Sequence, residues 1–266
     1  MLKATQVGDV TEIKMGRSLD GVTVLYWVAA YLMDGILIDT GCDYTKDELA
    51  NFLNDKKISI VVNTHYHEDH VGGNALLVDR FRVPTLAHPE TIRLMAEKYE
   101  MHQYRVEIWG YPMPCTADPI GATVDDGDIS LRVVETPGHC RGHISLFEER
   151  HGILFSGDIW VGERPKTARA EEDLHQIIAD LRKFEELNPK IMFASLGKIV
   201  PNPLDIIRKT RAYLEETRDR IIELHTQGRS SEQIRDELYG RESVLAEFTQ
   251  YQLSTKIFIE SFLRHE

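Results

Sequence analysis

The sequence predicts a layered sandwich of mixed β-sheets and helices, of the α/β or α+β class. Short β-branched and aromatic runs dominate the first third of the chain, and similar runs return between residues 129 and 155. Helical patterns lie among these runs without strict strand–helix–strand alternation, which favours a layered architecture. After Pro203 the pattern is helical only. We therefore expect a main domain at residues 1–203 and a helical C-terminal extension at 204–266.

The predicted strands are short and are separated by turn residues. Asp34-Gly35 is a two-residue hairpin signal, and Asp126-Gly127 precedes another apolar run. The run Ile58–Asn63 is apolar and bounded by polar residues, which predicts a fully buried strand. The complete set of predicted strands is Val10–Lys14, Val22–Ala29, Tyr31–Ile38, Ile58–Asn63, Pro84–Ala87, Ile129–Glu135, Ile144–Phe147, Gly152–Phe155 and Ile191–Ala194.

The predicted helices begin at recognisable capping residues. Thr45 is a candidate N-cap, and Ser230 opens a capping-box sequence. The segment His102–Pro119 contains three prolines and is predicted to be an irregular loop, while its aromatic residues argue against disorder. The predicted helices are Thr45–Asn54, Gly73–Phe81, Pro89–Met101, Ala170–Leu187, Leu204–Gln227, Ser230–Leu238 and Ser243–Leu263.

Composition and charge exclude several classes of protein. The 266 residues can bury a large core, and the net charge of −12 disfavours nucleic acids and anionic membranes as partners. The extension is also not basic, since it carries ten basic and twelve acidic residues. Three cysteines are too few for a disulfide framework. No leader-like or bilayer-length apolar run is present, so we expect a cytoplasmic protein without a membrane partner.

One short segment carries a dense set of potential metal ligands. His65-Tyr66-His67-Glu68-Asp69-His70 places three histidines and two acids in six residues, directly after a predicted buried strand. Imidazole and carboxylate groups are ligands that zinc prefers. In an extended chain His65 and His67 point the same way. Gly72 and Gly73 follow, where the chain must turn.

Two further segments place single ligand candidates after predicted strands. His139 lies in the turn Thr136–His143, and Asp158 follows the strand that ends at Phe155. Strand ends are where rigid scaffolds present functional side chains. Either residue alone is a weak signal, but together with the histidine cluster they indicate a metal site.

The order of these residues resembles the metallo-β-lactamase-fold superfamily. The resemblance covers about residues 10–200: Asp39-Thr40-Gly41, then His65-x-His67-x-Asp69-His70, then His139, then Asp158. It implies a four-layer αββα sandwich, of the α+β class, with the metal site at one edge of the two sheets. The implied ligands are His65, His67 and His139 for a first metal ion and Asp69, His70 and Asp158 for a second, with Asp158 bridging both.

The resemblance also implies an activity. A metal-bound hydroxide would attack a small ester, thioester or lactone, and Asp69 would be the catalytic residue that orients the water or shuttles its proton. Asp39 would orient a ligand by a hydrogen bond. The implied cofactor is Zn²⁺, one or two ions per chain, with iron or manganese as alternatives.

The sequence departs from the family at the last metal-binding position. Leu196 stands where the superfamily usually supplies a histidine, and leucine cannot bind a metal. Three interpretations remain open. Water fills the gap at a weaker second site, Lys198 replaces the second charge, or His143 or His175 takes the histidine's place.

The missing histidine leaves two other functions open. One is a mononuclear iron sulfur dioxygenase, with His65, His139 and Asp158 as the two-histidine, one-carboxylate set. The other is a binding or regulatory protein that kept the fold and lost the chemistry.

A small-molecule substrate is expected, and four residues are candidate contacts for it. Tyr104 and Trp109 would line a pocket wall suited to an acyl or aryl group. Arg164 lies in a basic loop with Lys166 and Arg169, which hints at an anionic part of the substrate, and Lys198 is the fourth candidate. The apolar stripe of the extension predicts that its helices cap the pocket or form a homodimer.

Overall fold

The computed structural model describes residues 1–97 and 100–264 and shows two β-sheets packed face to face between layers of helices. The strands are β1 Leu2–Val7, β2 Val10–Met15, β3 Val28–Met33, β4 Ile36–Ile38, β5 Ile60–Val62, β6 Thr85–Ala87, β7 Asp118–Pro119, β8 Thr123–Asp126, β9 Ile129–Glu135, β10 Ile144–Glu148, β11 Ile153–Gly157, β12 Ile191–Ala194 and β13 Lys198–Pro201. The helices are α1 Lys46–Phe52, α2 Glu68–Val71, α3 Asn74–Phe81, α4 Pro89–Met95, α5 Gln103–Trp109, α6 Leu174–Leu187, α7 Leu204–Thr226, α8 Ser231–Leu238, α9 Val244–Phe248 and α10 Thr255–Leu263.

The sheet order brings several strand ends to one edge of the sandwich. The first sheet runs β1 to β7 in chain order, and the second runs β13-β12-β11-β10-β9-β8. β4 and β5 are parallel, as are β11 and β12, so each pair ends at the same edge of its sheet. Backbone hydrogen bonds from Ile144 to Thr64 and from Ala29 to Ser195 join the two sheets there. The loops after these strands therefore converge at one edge.

Apolar side chains fill three successive interfaces between the four layers. Strand β3 shows why: alternate side chains point to opposite faces, and all six are buried. Tyr31 packs between the sheets, while Leu32 packs under α1 and α3. On the other side α6 covers the second sheet, and α7 and α10 pack on α6. The predicted α+β sandwich with C-terminal helices is thus confirmed, and the extension shares a core with the sandwich.

Among the residues described, no helix combines the length and the apolar character needed to cross a bilayer. The longest helix, α7, spans 23 residues, but charged side chains recur along it.

The strand predictions were wrong mainly where side chains hold the backbone in turns. The predicted strand Val22–Ala29 forms only from Val28. The carboxylate of Asp20 accepts hydrogen bonds from the backbone N–H groups of Val22 and Thr23, which fixes a turn instead. The hairpin at Asp34-Gly35 is confirmed, with φ of 43° and 96°. Strands β1, β7, β8 and β13 were not predicted.

The helix predictions were wrong mainly in where helices begin and end. The segment predicted as an irregular loop contains α5, which Gly110 ends at φ 84°. Helix α6 begins four residues later than predicted because Asp173 caps it. The long final helix is broken, and Ser254 caps the new start of α10. Thr45 is the N-cap of α1, but its hydroxyl donates to Cys42 O instead of capping.

Two further helix boundaries complete the comparison. The predicted helix Pro89–Met101 ends at Met95, and the part over residues 98 and 99 lies outside the described residues. The capping box at Ser230 is confirmed, with Gln233 as its reciprocal partner.

Candidate metal centre

Three buried imidazoles converge at the shared edge of the two sheets. His65 and His67 follow β5, and His139 lies in the turn between β9 and β10. His65 Nε2 lies 3.0 Å from His67 Nδ1, and His139 Nε2 lies 3.1 Å from the same atom. Nitrogen ligands of tetrahedral zinc lie about 3.3 Å apart. The three nitrogens therefore have nearly the spacing of one metal's ligands.

A second group of ligand atoms adjoins the first. His65, His70 and Asp158 each offer an atom within 4.8 Å of the others. Asp158 Oδ1 lies 3.3 Å from His70 Nε2, and Asp158 Oδ2 lies 3.5 Å from His139 Nε2, so this carboxylate stands between the two groups. Asp69 Oδ2 is 3.8 Å from His70 Nε2. All six predicted ligands are thus brought together.

The chemistry of the donor set fits a metal ion. Burial, followed by neighbouring positive charge, holds the pKa of His65 and His67 well below the ordinary histidine value, so both imidazoles are neutral, as ligands must be. His70 Nε2 is buried and makes no well-aligned hydrogen bond within residues 1–97 and 100–264, although Asp158 Oδ1 lies 3.3 Å away. A buried polar atom without a partner is costly, and a cation would satisfy it.

The pKa values of two carboxyl groups of this set shift in opposite directions. Burial raises the pKa of Asp69. Although burial acts the same way on Asp158, His70 and His139 hold the pKa of Asp158 well below the usual aspartate value. Asp158 is therefore the more acidic of the two carboxyl groups, which suits the shared ligand role that the resemblance implies for it.

Asp39 binds the imidazole of His70 at Nδ1, the ring nitrogen that does not face the ligand cluster. Its Oδ2 is 2.8 Å from His70 Nδ1, and its carboxylate also accepts hydrogen bonds from the N–H and the hydroxyl of Thr64. The residue adopts a left-handed φ of 60°, which aims the carboxylate back into the site. Asp39 thus occupies the place that the sequence resemblance implied for an orienting residue.

His143 and His175 are engaged elsewhere. His143 Nδ1 is 2.9 Å from Thr136 Oγ1, and His143 Nε2 accepts a hydrogen bond from the backbone N–H of Asp158. A Cβ on Gly157 would lie 2.4 Å from this ring, so only glycine fits there. His175 Nε2 lies 3.0 Å from Phe262 O. Neither imidazole occupies the position that Leu196 leaves without a ligand.

The remaining proposed substitute, Lys198, and the predicted substrate contact Arg164 are engaged with other partners. Lys198 is exposed, and its ammonium group donates to Val161 O. Arg164 stacks over the ring of Tyr213, away from the metal ligands. Leu196 itself lines a cavity beside the site. Its neighbour Ser195 donates a hydrogen bond to Asp158 Oδ1, a contact that the sequence analysis missed.

Two glutamates contact the histidines on the side away from the ligand cluster. The sequence analysis missed both of them. Glu172 Oε1 lies 2.9 Å from His139 Nδ1, and Glu171 Oε1 lies 3.6 Å from His67 Nε2. Both belong to the segment 168–174, which the C-terminal helices hold in place. Ser261 Oγ accepts from Leu174 N–H and donates to Glu172 O, and Ala168 pairs with Ser254.

We expect the Glu172→Ala variant to bind zinc about 10- to 100-fold more weakly, because groups that orient metal-binding histidines have effects of this size. Zinc affinity measured by competition with a chelator checks this. Glu172→Gln keeps a hydrogen-bond acceptor for His139 and should lose less. Glu186→Gln, at an exposed position of α6, is the control and should bind zinc like the parent. Equal affinity for Glu172→Ala and the parent would contradict the assignment.

A cavity of about 240 Å³ opens beside the ligands. Asp69, His139 and Asp158 form part of its lining, and Trp109 stands in its wall, as predicted from the sequence. Tyr104, which was also predicted to line the pocket, is not part of this lining and packs against Trp109 at a ring distance of 6.5 Å. Of the basic side chains of one loop, Arg169 lines this cavity, whereas Arg164 does not.

Comparisons with known proteins agree with this architecture. The signature of the metallo-beta-lactamase superfamily matches residues 23–195. The Beta-lactamase-like protein 2 homolog of Caenorhabditis elegans is 29% identical over 68% of this chain and 57% of its own length. The hydroxyacylglutathione hydrolase of Aeromonas hydrophila is 34% identical over 50% of this chain and 44% of its own length. The chain thus spans about half the length of these relatives.

A solved structure extends the likeness to the whole fold. The beta-lactamase domain protein from Burkholderia ambifaria superposes with a TM-score of 0.74 at 19% identity, covering 98% of this chain and 87% of that one. Since the family signature covers most of the chain and the fold agrees with it, this protein belongs to the metallo-beta-lactamase superfamily.

Proposed function

We propose that this protein is a metal-dependent hydrolase of small esters, thioesters or lactones. One observation carries the proposal: three imidazole nitrogens and an adjoining carboxylate group converge where an apolar cavity opens. The name of the Aeromonas hydrophila relative, a hydrolase of hydroxyacylglutathione, supports acyl transfer to water.

We assign the metal to the residues that converge. His65, His67 and His139 hold a first zinc ion, and His70, Asp158 and Asp69 serve a second position. Zinc bound there supplies a water that ionises near neutral pH and a Lewis acid for the acyl carbonyl.

The chain's own residues have distinct tasks in the reaction. Asp158 fixes the spacing of the two positions, because Ser195 and the backbone contact with His143 hold it still. Asp69 lies in the cavity lining with a carboxylate free to accept a proton from the attacking water or to orient it. The ligand side chains are buried, and the lower local dielectric strengthens these electrostatic interactions.

The substrate class is tested by a panel on zinc-loaded protein: p-nitrophenyl esters, acyl-N-acetylcysteamine thioesters, lactones, a phosphodiester and a β-lactam. Hydrolysis of an ester, thioester or lactone that a chelator abolishes and zinc restores is the expected result. Activity confined to the phosphodiester or β-lactam would overturn the substrate class. Thiol-dependent oxygen consumption by iron-loaded protein, without hydrolysis, would support the sulfur dioxygenase instead.

The number of ions follows from a metal count on the same protein. We expect one tightly held zinc per chain and a second that dialysis removes, because Leu196 deprives the second position of a ligand. We also propose that the protein acts in the cytoplasm. Its three cysteines, Cys42, Cys115 and Cys140, are free, as is usual in a reducing compartment.

A further inference from the structure

We propose that the cavity beside the metal centre is an acyl-chain pocket, and that the substrate carries an uncharged aliphatic acyl group of roughly eight carbons. This inference rests on the proposed hydrolase function and names the acyl half of its substrate.

The lining contains the polar side chains at the metal ligands, which we call the polar end, and a larger apolar part. Charged or ligand-forming side chains of the described lining are Asp69, His139, Asp158, Arg169 and Glu172. Tyr26, Trp109, Thr167 and Thr210 also belong to the lining, but most of its other side chains are aliphatic and come from both parts of the chain: Ile159, Val161, Leu174, Ile177, Leu196, Leu214, Leu245 and Leu253. A substrate with its carbonyl at the polar end therefore places its acyl chain among aliphatic side chains.

The charges argue against an anionic acyl group. Arg169 is the cationic side chain of the described lining, which also carries the carboxyl groups of Asp69, Asp158 and Glu172. The carboxyl groups outnumber the guanidinium, so the side-chain charges of the lining do not favour a further carboxylate or phosphate on the acyl group. An aliphatic chain needs no charged partner, because its transfer from water is favourable by itself.

Leu196 connects the missing metal ligand with the pocket. A histidine at this position would present a polar ring to the cavity, whereas leucine continues the aliphatic wall up to Asp158. The presence of leucine instead of histidine at position 196 therefore weakens the second metal position and also extends the apolar surface toward the reacting carbonyl.

The size of the cavity sets the length of the chain. A cavity of about 150 Å³ holds benzene, which has six carbons, so 240 Å³ holds roughly ten non-hydrogen atoms. The polar end accommodates the reacting group, which leaves room for about eight carbons. Leu214 is 1% exposed and marks the deep end, while Leu245 is 47% exposed and marks the mouth.

The experiment measures kcat/KM of the zinc-loaded enzyme for acyl-N-acetylcysteamine thioesters and p-nitrophenyl esters from acetyl to dodecanoyl. We expect kcat/KM to rise about fourfold per methylene up to roughly octanoyl, as burial of each methylene favours binding, and then to level off or fall. Equal rates for all chain lengths would overturn the proposal.

Two matched variants locate the pocket. Leu214→Phe fills the deep end and should lower the octanoyl-to-acetyl ratio of kcat/KM at least tenfold. Leu224→Phe lies on the same helix with the same 1% exposure but is not part of the described cavity lining, so it should keep the parent ratio. Leu245→Trp at the exposed mouth gives a second test if Leu214→Phe fails to fold, and it should lower the ratio in the same direction.

A binding measurement separates this proposal from the proposed function. Calorimetry should show that octanoate binds the zinc-loaded parent and binds the Leu214→Phe variant at least tenfold more weakly, with Leu224→Phe unchanged. If octanoate binds in this way but no ester or thioester is cleaved, the acyl-chain pocket is supported and the proposed hydrolase function is contradicted. If thioesters are cleaved but octanoate binding does not depend on Leu214, the proposed hydrolase function is supported and the acyl-chain pocket is contradicted.

Discussion

Replacing His67 by alanine should lower kcat/KM at least about 100-fold and remove the tightly bound zinc. His67 Nδ1 is the atom that both other imidazole nitrogens of the first group approach, so the variant loses the centre of the ligand set. Loss of a single preorganised group at a reaction centre costs two to three orders of magnitude in rate. Hydrolysis kinetics and elemental analysis on the same preparation check both parts.

A matched histidine separates this effect from general damage. His225 is exposed on α7, and His225→Ala should keep the zinc content and the rate of the parent. If His67→Ala hydrolyses the same substrate at the parent rate, the metal centre lies elsewhere and the assignment of all six ligands falls.

The second large effect is expected on stability, from a buried ion pair next to the metal ligands. Arg105 on α5 donates two hydrogen bonds to Glu68 on α2, at 2.6 and 2.7 Å, and Glu68 is 0% exposed. Arg105→Ala leaves that carboxylate buried without its partner. Breaking such a pair costs about 3–5 kcal/mol, so urea unfolding should show a loss of that size.

Two comparisons make the stability result specific. Arg132→Ala removes an exposed partner of Glu149 and should cost less than about 1 kcal/mol. The double variant Glu68→Gln, Arg105→Met removes both charges and should be more stable than Arg105→Ala. A loss below about 1 kcal/mol for Arg105→Ala would show that the pair contributes little.

The convergence of the six candidate ligands could be predicted because their segments carry local signals and their order resembles a known family. Four of the six lie in one segment after β5, and His139 and Asp158 follow strands whose ends the sheets bring to one edge. The hairpin at Asp34-Gly35 and the capping box at Ser230 were predictable for the same reason, since each depends on neighbouring residues.

The remaining features depend on contacts between distant parts of the chain. Glu172 reaches His139 across 33 residues, and nothing in its surroundings distinguishes it from a surface glutamate. Arg164 and Arg169 lie in one basic loop, yet only the fold determines that Arg169 turns toward the cavity. Helix α5 was missed because the prolines after Gly110 obscured a short amphipathic pattern.

Because the C-terminal helices hold segment 168–174 in place, the candidate metal centre depends on residues far from it in the sequence. Ser254, Ser261 and Arg264 lie beyond the segment that matches the superfamily, yet they fix the backbone that carries Glu171 and Glu172. A mutation in α10 can leave the sandwich folded and still shift Glu171 and Glu172, and with them the histidines that these glutamates contact. Comparing relatives only over the shared domain would overlook that dependence.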